Sequence, residues 1–197
     1  MLPPQQVSGD FGSFPWLTCS QIQTIRATVH SLLERCDASY KITPYDHDLH
    51  QECIDEAVRR GYPVESDPSV LTFLPVGVVF AATAGRHHAR ATQIWIALYT
   101  SSVTYVDEIP SRFPLEISNV YLFNDRFLSG QQQGNAILDA LADIIRQTPD
   151  LYQPIPSGLF ITASLNFITA NLLEHETKSM QVWSLRSTSE STPNVND

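Results

Sequence analysis

Between about residues 20 and 183, apolar side chains recur three and four positions apart rather than in alternation. That is the spacing of helices that each bury one face. Ile22, Ile25, Val29, Leu32, Leu33 and Cys36 form one stripe, on a helix predicted from a Ser20 cap to about Asp37. A second helix is predicted over about Asp46 to Arg60, with acids early, Arg59 and Arg60 at its end, and Gly61 and Pro63 beyond. A third segment starts at Asp67-Pro68 and runs through Val70, Leu71, Phe73, Leu74, Val76, Val78, Val79 and Phe80. It is apolar on nearly every side and reads as a buried helix kinked near Pro75. The fourth, about Arg86 to Val106, is the longest uninterrupted one, and Pro110 bars its continuation.

Three more helices are expected, over about Leu115 to Leu128, Asn135 to Gln147, and Ser157 to Trp183. The β-branched runs Val76–Val79 and Val103–Val106 suit strands on propensity, but they sit inside long segments without turn signals. Seven helices joined by short loops predict an all-α bundle. The helical domain is expected to occupy residues 18–183. Residues 1–17 are rich in Pro, Gly and Gln and read as an arm. Residues 184–197 hold only Leu185 and Val195 as large apolar side chains, too few to offset the entropy of ordering, and read as a disordered tail.

Composition narrows the function classes. With 43% hydrophobic and 17% charged residues, the chain is globular. Its net charge of −9 argues against nucleic acid, which needs clustered Lys and Arg. No apolar run of about 18 residues is evident, so no membrane span is expected. The N-terminus lacks the charged and apolar regions of a secretion signal. Three cysteines make no disulfide framework and fit a reducing, cytoplasmic compartment, with Cys36 and Cys53 expected as buried small apolar side chains. G-x-S-x-G, G-x-x-x-x-G-K and G-x-G-x-x-G are all absent from the sequence.

Candidate chemistry centres on Tyr99-Thr-Ser-Ser-Val-Thr-Tyr-Val-Asp107-Glu108. Two carboxylates are expected where the fourth helix stops, at its negative dipole end, with Arg112 the only nearby offset. Bound Mg²⁺ would also offset them, since this ion prefers one or two carboxylates plus phosphates and water. Val103, Thr100 and Ile96 precede Asp107 on the same face, as the wall of an isoprenoid cavity would. Trp95, Tyr99, Tyr105, Phe73 and Phe80 offer aromatic faces to a carbocation. Read without that chemistry, the acid pair is a solvated helix feature and the stripe is plain core. His47 and His50, three apart among acids, could ligate a transition metal, though a solvated first turn is the simpler reading. His87 and His88 read as a surface pair.

The chain resembles the fungal trichodiene synthase family of class I terpenoid synthases over about residues 14–177. The similarity lies in Leu32-Leu-Glu-Arg, Asp67-Pro-Ser-Val-Leu, Val76-Gly-Val-Val-Phe, Ile94 through Glu108, Phe113-Pro, Asn124-Asp-Arg-Phe and Ser164-Leu-Asn-Phe, in that order. It implies the all-helical terpenoid-synthase fold and Mg²⁺-dependent ionisation and cyclisation of farnesyl diphosphate to a sesquiterpene in fungal secondary metabolism. The family's aspartate-rich motif falls on Asp107-Glu108-Ile-Pro-Ser111. Asp107 takes the first metal-binding position and Glu108 keeps the second charge, while Ser111 replaces the last acid. Metal ligands are therefore expected at Asp107 and Glu108, and substrate contacts at Ile96, Thr100 and Val103; no catalytic residue is assigned.

The family's second motif, (N/D)DxxSxxxE, is matched only in part by Asn166 and Glu174, because Phe167 and Ala170 stand at two ligand positions. The chain is therefore expected to be a C-terminally truncated, N-terminal part of the fold. The competing expectation is an inactive relative serving as a helical interaction module, as a homodimer or with a pathway partner.

Overall fold

Side-chain caps and turns fix where the helices begin, and they do so a few residues away from several expected positions. The computed structural model describes residues 18–36 and 44–179, the last two by backbone alone. The expected arm and tail lie outside the described residues. The chain divides into two compact units, Met1–Thr43 and Pro44–Asp197.

The first unit holds α1 (Cys19–Arg35). Its cap is Thr18, two residues before the Ser20 expected. The Thr18 hydroxyl accepts from the Gln21 N–H at 3.2 Å, and the Gln21 side chain accepts from the Thr18 N–H at 2.8 Å. This reciprocal box satisfies two otherwise orphaned donors. Cys36 caps the other end and is exposed, against expectation.

In the second unit, α2 (His47–Arg60) has the boundaries its sequence announces. Asp46 accepts from the Leu49 N–H at 2.7 Å, and Gly61 closes the helix at φ 70°, a left-handed conformation that favours glycine. The expected helix start at Pro68 gives way to turns. Ser69 and Thr72 bond backbone N–H groups within residues 69–72, which competes with a helix there. Helix α3 (Leu74–Thr83) begins instead at Leu74. Pro75 lies in its first turn, where a missing N–H costs nothing, so no kink forms.

Helix α4 (Arg90–Arg112) starts four residues later than expected and runs through Pro110. Before it, the Gln93 amide bonds the carbonyls of Gly85, Arg86 and His88, holding that stretch as a turn. Past Pro110, the Phe113 N–H still reaches the Ile109 carbonyl at 2.9 Å. A proline this near the end removes one bond without ending the helix. The single helix expected over 115–128 is broken into a 3-10 turn (Pro114–Glu116), α5 (Ile117–Tyr121) and α6 (Phe123–Leu128). Next comes α7 (Ala136–Arg146), capped by Asn135, where the helix was expected to begin. A short α8 (Thr148–Leu151), placed where a stop was expected, leads to α9 (Pro154–Ser179). Among the described residues there is no strand, so the all-α class stands.

Helix α4 is the axle of this unit. It gives Trp95 and Leu98 to one core with Leu49, Cys53, Leu74, Val78 and Ile144. It gives Tyr105, Val106 and Ile109 to a second core with Phe123, Leu138, Leu141 and Ile168. Trp95 also donates its ring N–H to the Ile144 carbonyl at 2.9 Å. Helix α3 meets α4 closely: a Cβ added at Gly77 would stand 2.1 Å from the Ala97 carbonyl oxygen. Arg90 ties the start of α4 to α2, donating to Asp46 at 2.8 Å and Glu52 at 2.9 Å. Those hydrogen bonds hold the Asp46 carboxyl below its ordinary value. Cys53 is buried, and burial pushes its thiol up to about 12.

Helix α9 corrects another expectation. One helix, Pro154–Thr177, is long and apolar enough by length and composition to cross a membrane. Its Ser157, Ser164 and Ile168 are nevertheless buried against the bundle.

Two outcomes follow. Gly77→Ala should lower unfolding free energy by about 1–3 kcal/mol or more through overpacking, whereas Gly158→Ala, where an added Cβ meets nothing, should raise it by up to about 1 kcal/mol; urea denaturation of both variants checks the contrast. Because Asp46 titrates lower folded than unfolded, its contribution is full above 3.8 and is lost as pH falls through the depressed folded value. Arg90→Met should therefore be less stable than the parent at pH 6, and the gap should narrow towards pH 3.

Candidate functional site

Successive helical residues turn about 100° around the axis, so the contacts of α4 sort its residues into sides. Leu98, Ser102, Tyr105 and Ile109 point into the cores and are buried. Ala97 meets Gly77 of α3, and Ser101 donates to the Val70 carbonyl at 2.6 Å on the same flank. On the opposite flank Tyr99 meets α9. Its hydroxyl is 3.0 Å from Ser164 Oγ, and its ring stacks on Trp95 and lies 4.7 Å from Phe160. The remaining side carries Ile96, Thr100, Val103 and Asp107. The first three are half-buried and Asp107 is exposed. This open stripe lies between the flank held by α3 and the flank held by α9. On α3, Val76, Val79 and Phe80 are each about half exposed.

The four residues expected along one face are thus together on one face. Most of the aromatic wall is not. Trp95 and Tyr105 are 5% and 1% exposed and turn into the cores. Phe73 lies under the Arg112 guanidinium, 5.2 Å from its ring centroid. Tyr99 is taken up by α9, leaving Phe80 outward. Size misleads here: the large rings of α4 are its core side, and the aliphatic stripe is its open side.

Asp107 and Glu108 are not at the helix end, which comes at Arg112. Asp107 continues the open stripe. Glu108 turns towards the flank of Ala97 and Ser101, eleven residues or about three turns earlier, and accepts from the Ser111 hydroxyl at 3.2 Å. Ser111, standing where the motif has an acid, therefore holds Glu108. Arg112 does not offset the acids; it packs over Phe73 and Phe113. Among the described residues no group of three His, Cys, Asp or Glu is placed to hold a metal. Asp107 alone still fits Mg²⁺, which takes one or two carboxylates and completes its shell with phosphate and water oxygens. Asp107 has no hydrogen-bond or ion-pair partner among the described residues.

The other candidates have structural partners. His50 Nδ1 is 2.5 Å from the Tyr45 hydroxyl, and His47 packs edge-on to the Tyr45 ring. The acids beside them, Asp46 and Glu52, belong to Arg90. His87 and His88 lie ring on ring, 4.3 Å apart, in the turn before α4. Asn166 and Glu174 are exposed on α9. One network was not foreseen. Asn135 donates to Glu116 at 2.9 Å and to the Tyr105 hydroxyl at 3.3 Å, beside a cavity of about 480 Å³ lined also by Arg112 and Phe113. Its visible signal is an Asn before a periodic apolar run, which announces the cap but not the network.

If Asp107 serves function rather than folding, Asp107→Ala should change unfolding free energy by less than about 0.5 kcal/mol. Tyr105→Ala, which empties a buried site on the same helix, should cost about 3–5 kcal/mol. Urea denaturation of both variants makes the comparison.

No family model matches the chain. It is 29% identical to alpha-cuprenene synthase of Coprinopsis cinerea over 161 residues, covering 80% of this chain and 49% of that protein. It is 29% identical to longiborneol synthase of Gibberella zeae over 125 residues, covering 64% and 36%. It is 27% identical to terpene synthase BipA of Cochliobolus sativus over 146 residues, covering 72% and 43%. The chain spans about half, or less, of the length of the relatives it matches. Its homologues are thus fungal terpene synthases, and over the length they share this chain is an all-helical, terpene-cyclase-like polypeptide.

Proposed function

We propose that this chain carries part of a sesquiterpene cyclase site of the trichodiene synthase type, acting on farnesyl diphosphate with Mg²⁺. The observation that carries the reading is Asp107 at one end of the open stripe of Ile96, Thr100 and Val103. A charged group at the end of an apolar face suits a ligand that is anionic at one end and hydrocarbon along its length. The relatives named as cuprenene and longiborneol synthases support that ligand class.

In this reading Ile96, Thr100 and Val103 receive the isoprenoid chain. Asp107, with Glu108 second, would hold the Mg²⁺ ion. Mg²⁺ supplies neutralisation of the charge gathering on the diphosphate as it leaves. The C–O bond to the diphosphate breaks, its electron pair leaves with the oxygen, and an allylic cation remains over the stripe. An open face admits water, which adds to the cation and loses a proton to solvent. The isolated chain is therefore expected to release alcohols ahead of cyclic hydrocarbons.

The test is incubation of the full chain with farnesyl diphosphate and Mg²⁺, with extracted products identified by gas chromatography and mass spectrometry. Terpenoid product should form, and Asp107→Ala should lower its rate at least about tenfold. No product above a no-protein control would refute catalysis by this chain, and an unimpaired Asp107→Ala would refute the role of Asp107.

A further inference from the structure

Arg112 lies about 140° around the axis of α4 from Asp107. It shares the side of Tyr105 and Ile109, turned away from the open stripe. There the end of α4, the 3-10 turn and the start of α7 line the cavity of about 480 Å³. Its walls are apolar at Pro68, Phe113, Pro114 and Ile137. Its volume is that of a small-molecule site.

Two donors lining this cavity have no acceptor among the described residues. Arg112 is the first. The rings of Phe73 and Phe113 lie 5.2 and 5.6 Å from its guanidinium carbon and hold it in place. Its N–H groups make no hydrogen bond or ion pair with the described residues. Tyr105 is the second, and it is 1% exposed. Its oxygen accepts from Asn135 at 3.3 Å, which leaves its own O–H hydrogen to give. Burial pushes the phenol up, so that hydrogen stays on at neutral pH. A buried donor is costly unless its hydrogen is taken. Phe113 brings the two donors together, its ring 5.1 Å from that of Tyr105.

Glu116 limits the charge of what can bind. Its Oε2 accepts from Asn119 at 3.0 Å and Asn135 at 2.9 Å, which fixes its carboxylate in the cavity wall. A singly charged anion gains Arg112 against one such repulsion. Phosphate and diphosphate bring more charge against it.

We propose that this cavity is a second binding site, for a small monocarboxylate with an apolar body. The guanidinium fork of Arg112 matches a carboxylate edge to edge, and the Tyr105 hydroxyl gives it a further hydrogen. Phe113, Pro68 and Ile137 take the hydrocarbon. The site lies apart from Asp107, and its occupancy does not depend on turnover of farnesyl diphosphate.

The test is calorimetric titration of the full chain with 2-naphthoate, which should bind saturably at one site. Arg112→Gln and Tyr105→Phe should each weaken it by about tenfold or more, the loss of one hydrogen bond to a charged group. Leu115→Glu, at a rim position 91% exposed and outside both cores, should weaken it with melting temperature unchanged. The uncharged 2-naphthamide should bind about tenfold more weakly or less well still, and inorganic phosphate should not displace the probe. Absence of saturable binding overturns the proposal, as does equal binding by Arg112→Gln or by 2-naphthamide. Displacement of the probe by farnesyl diphosphate assigns the cavity to the substrate and overturns it equally.

Discussion

Backbone lies against backbone where α3 crosses α4 at Gly77, and the arrangement of the open face depends on that contact. Helix α3 is apolar all round, so no polar side tells it which way to turn. Shape decides: only the glycine lets the Ala97 carbonyl come so near. With Gly77 pinned inward, Leu74, Val78 and Ala81 follow it into the core. Val76, Val79 and Phe80 are left outside, along the border of the α4 stripe. A missing side chain thus determines which apolar residues become core and which become surface.

Local chemistry was legible in the sequence, and long-range choice was not. The ends of α2 follow from Asp46 and Gly61, each acting within a few residues. Prolines misled because their effect depends on where a helix begins and ends. Pro75 sits in a first turn, where no N–H is required, and Pro110 costs one bond near an end. The stripe from Ile96 to Asp107 was legible from helical periodicity. Which side of α4 would be buried was not, because two adjacent stripes are both apolar. Trp95 and Tyr105 were free, on sequence grounds, to line a cavity; α7 and the two cores claimed them instead.

The same ambiguity hid the character of α9. An uncharged helix reads as core, and one side of it is core, with Ser164 on Tyr99 and Ile168 buried. The other side has the composition of an interior without its packing. Asp107 and this outer side are exposed and the stripe is half-buried, all of them outside the two cores.

Asn135 shows how narrowly one residue can be specified. As a helix cap it has many equivalents, since Asp and Ser serve as well. Here its Oδ1 takes the N–H groups of Ile137 and Leu138, while its Nδ2 gives hydrogens to Glu116 and Tyr105. Asp would keep the cap but set a second carboxylate against Glu116, and Ser would have too few hydrogens to share. The side-chain amide is also the group through which proteins age, by slow loss of ammonia. One such event here would leave the helix start in place and turn its link to Glu116, in the 3-10 turn after α4, from attraction into repulsion. The lifetime of this corner of the fold is therefore tied to the chemical survival of one amide.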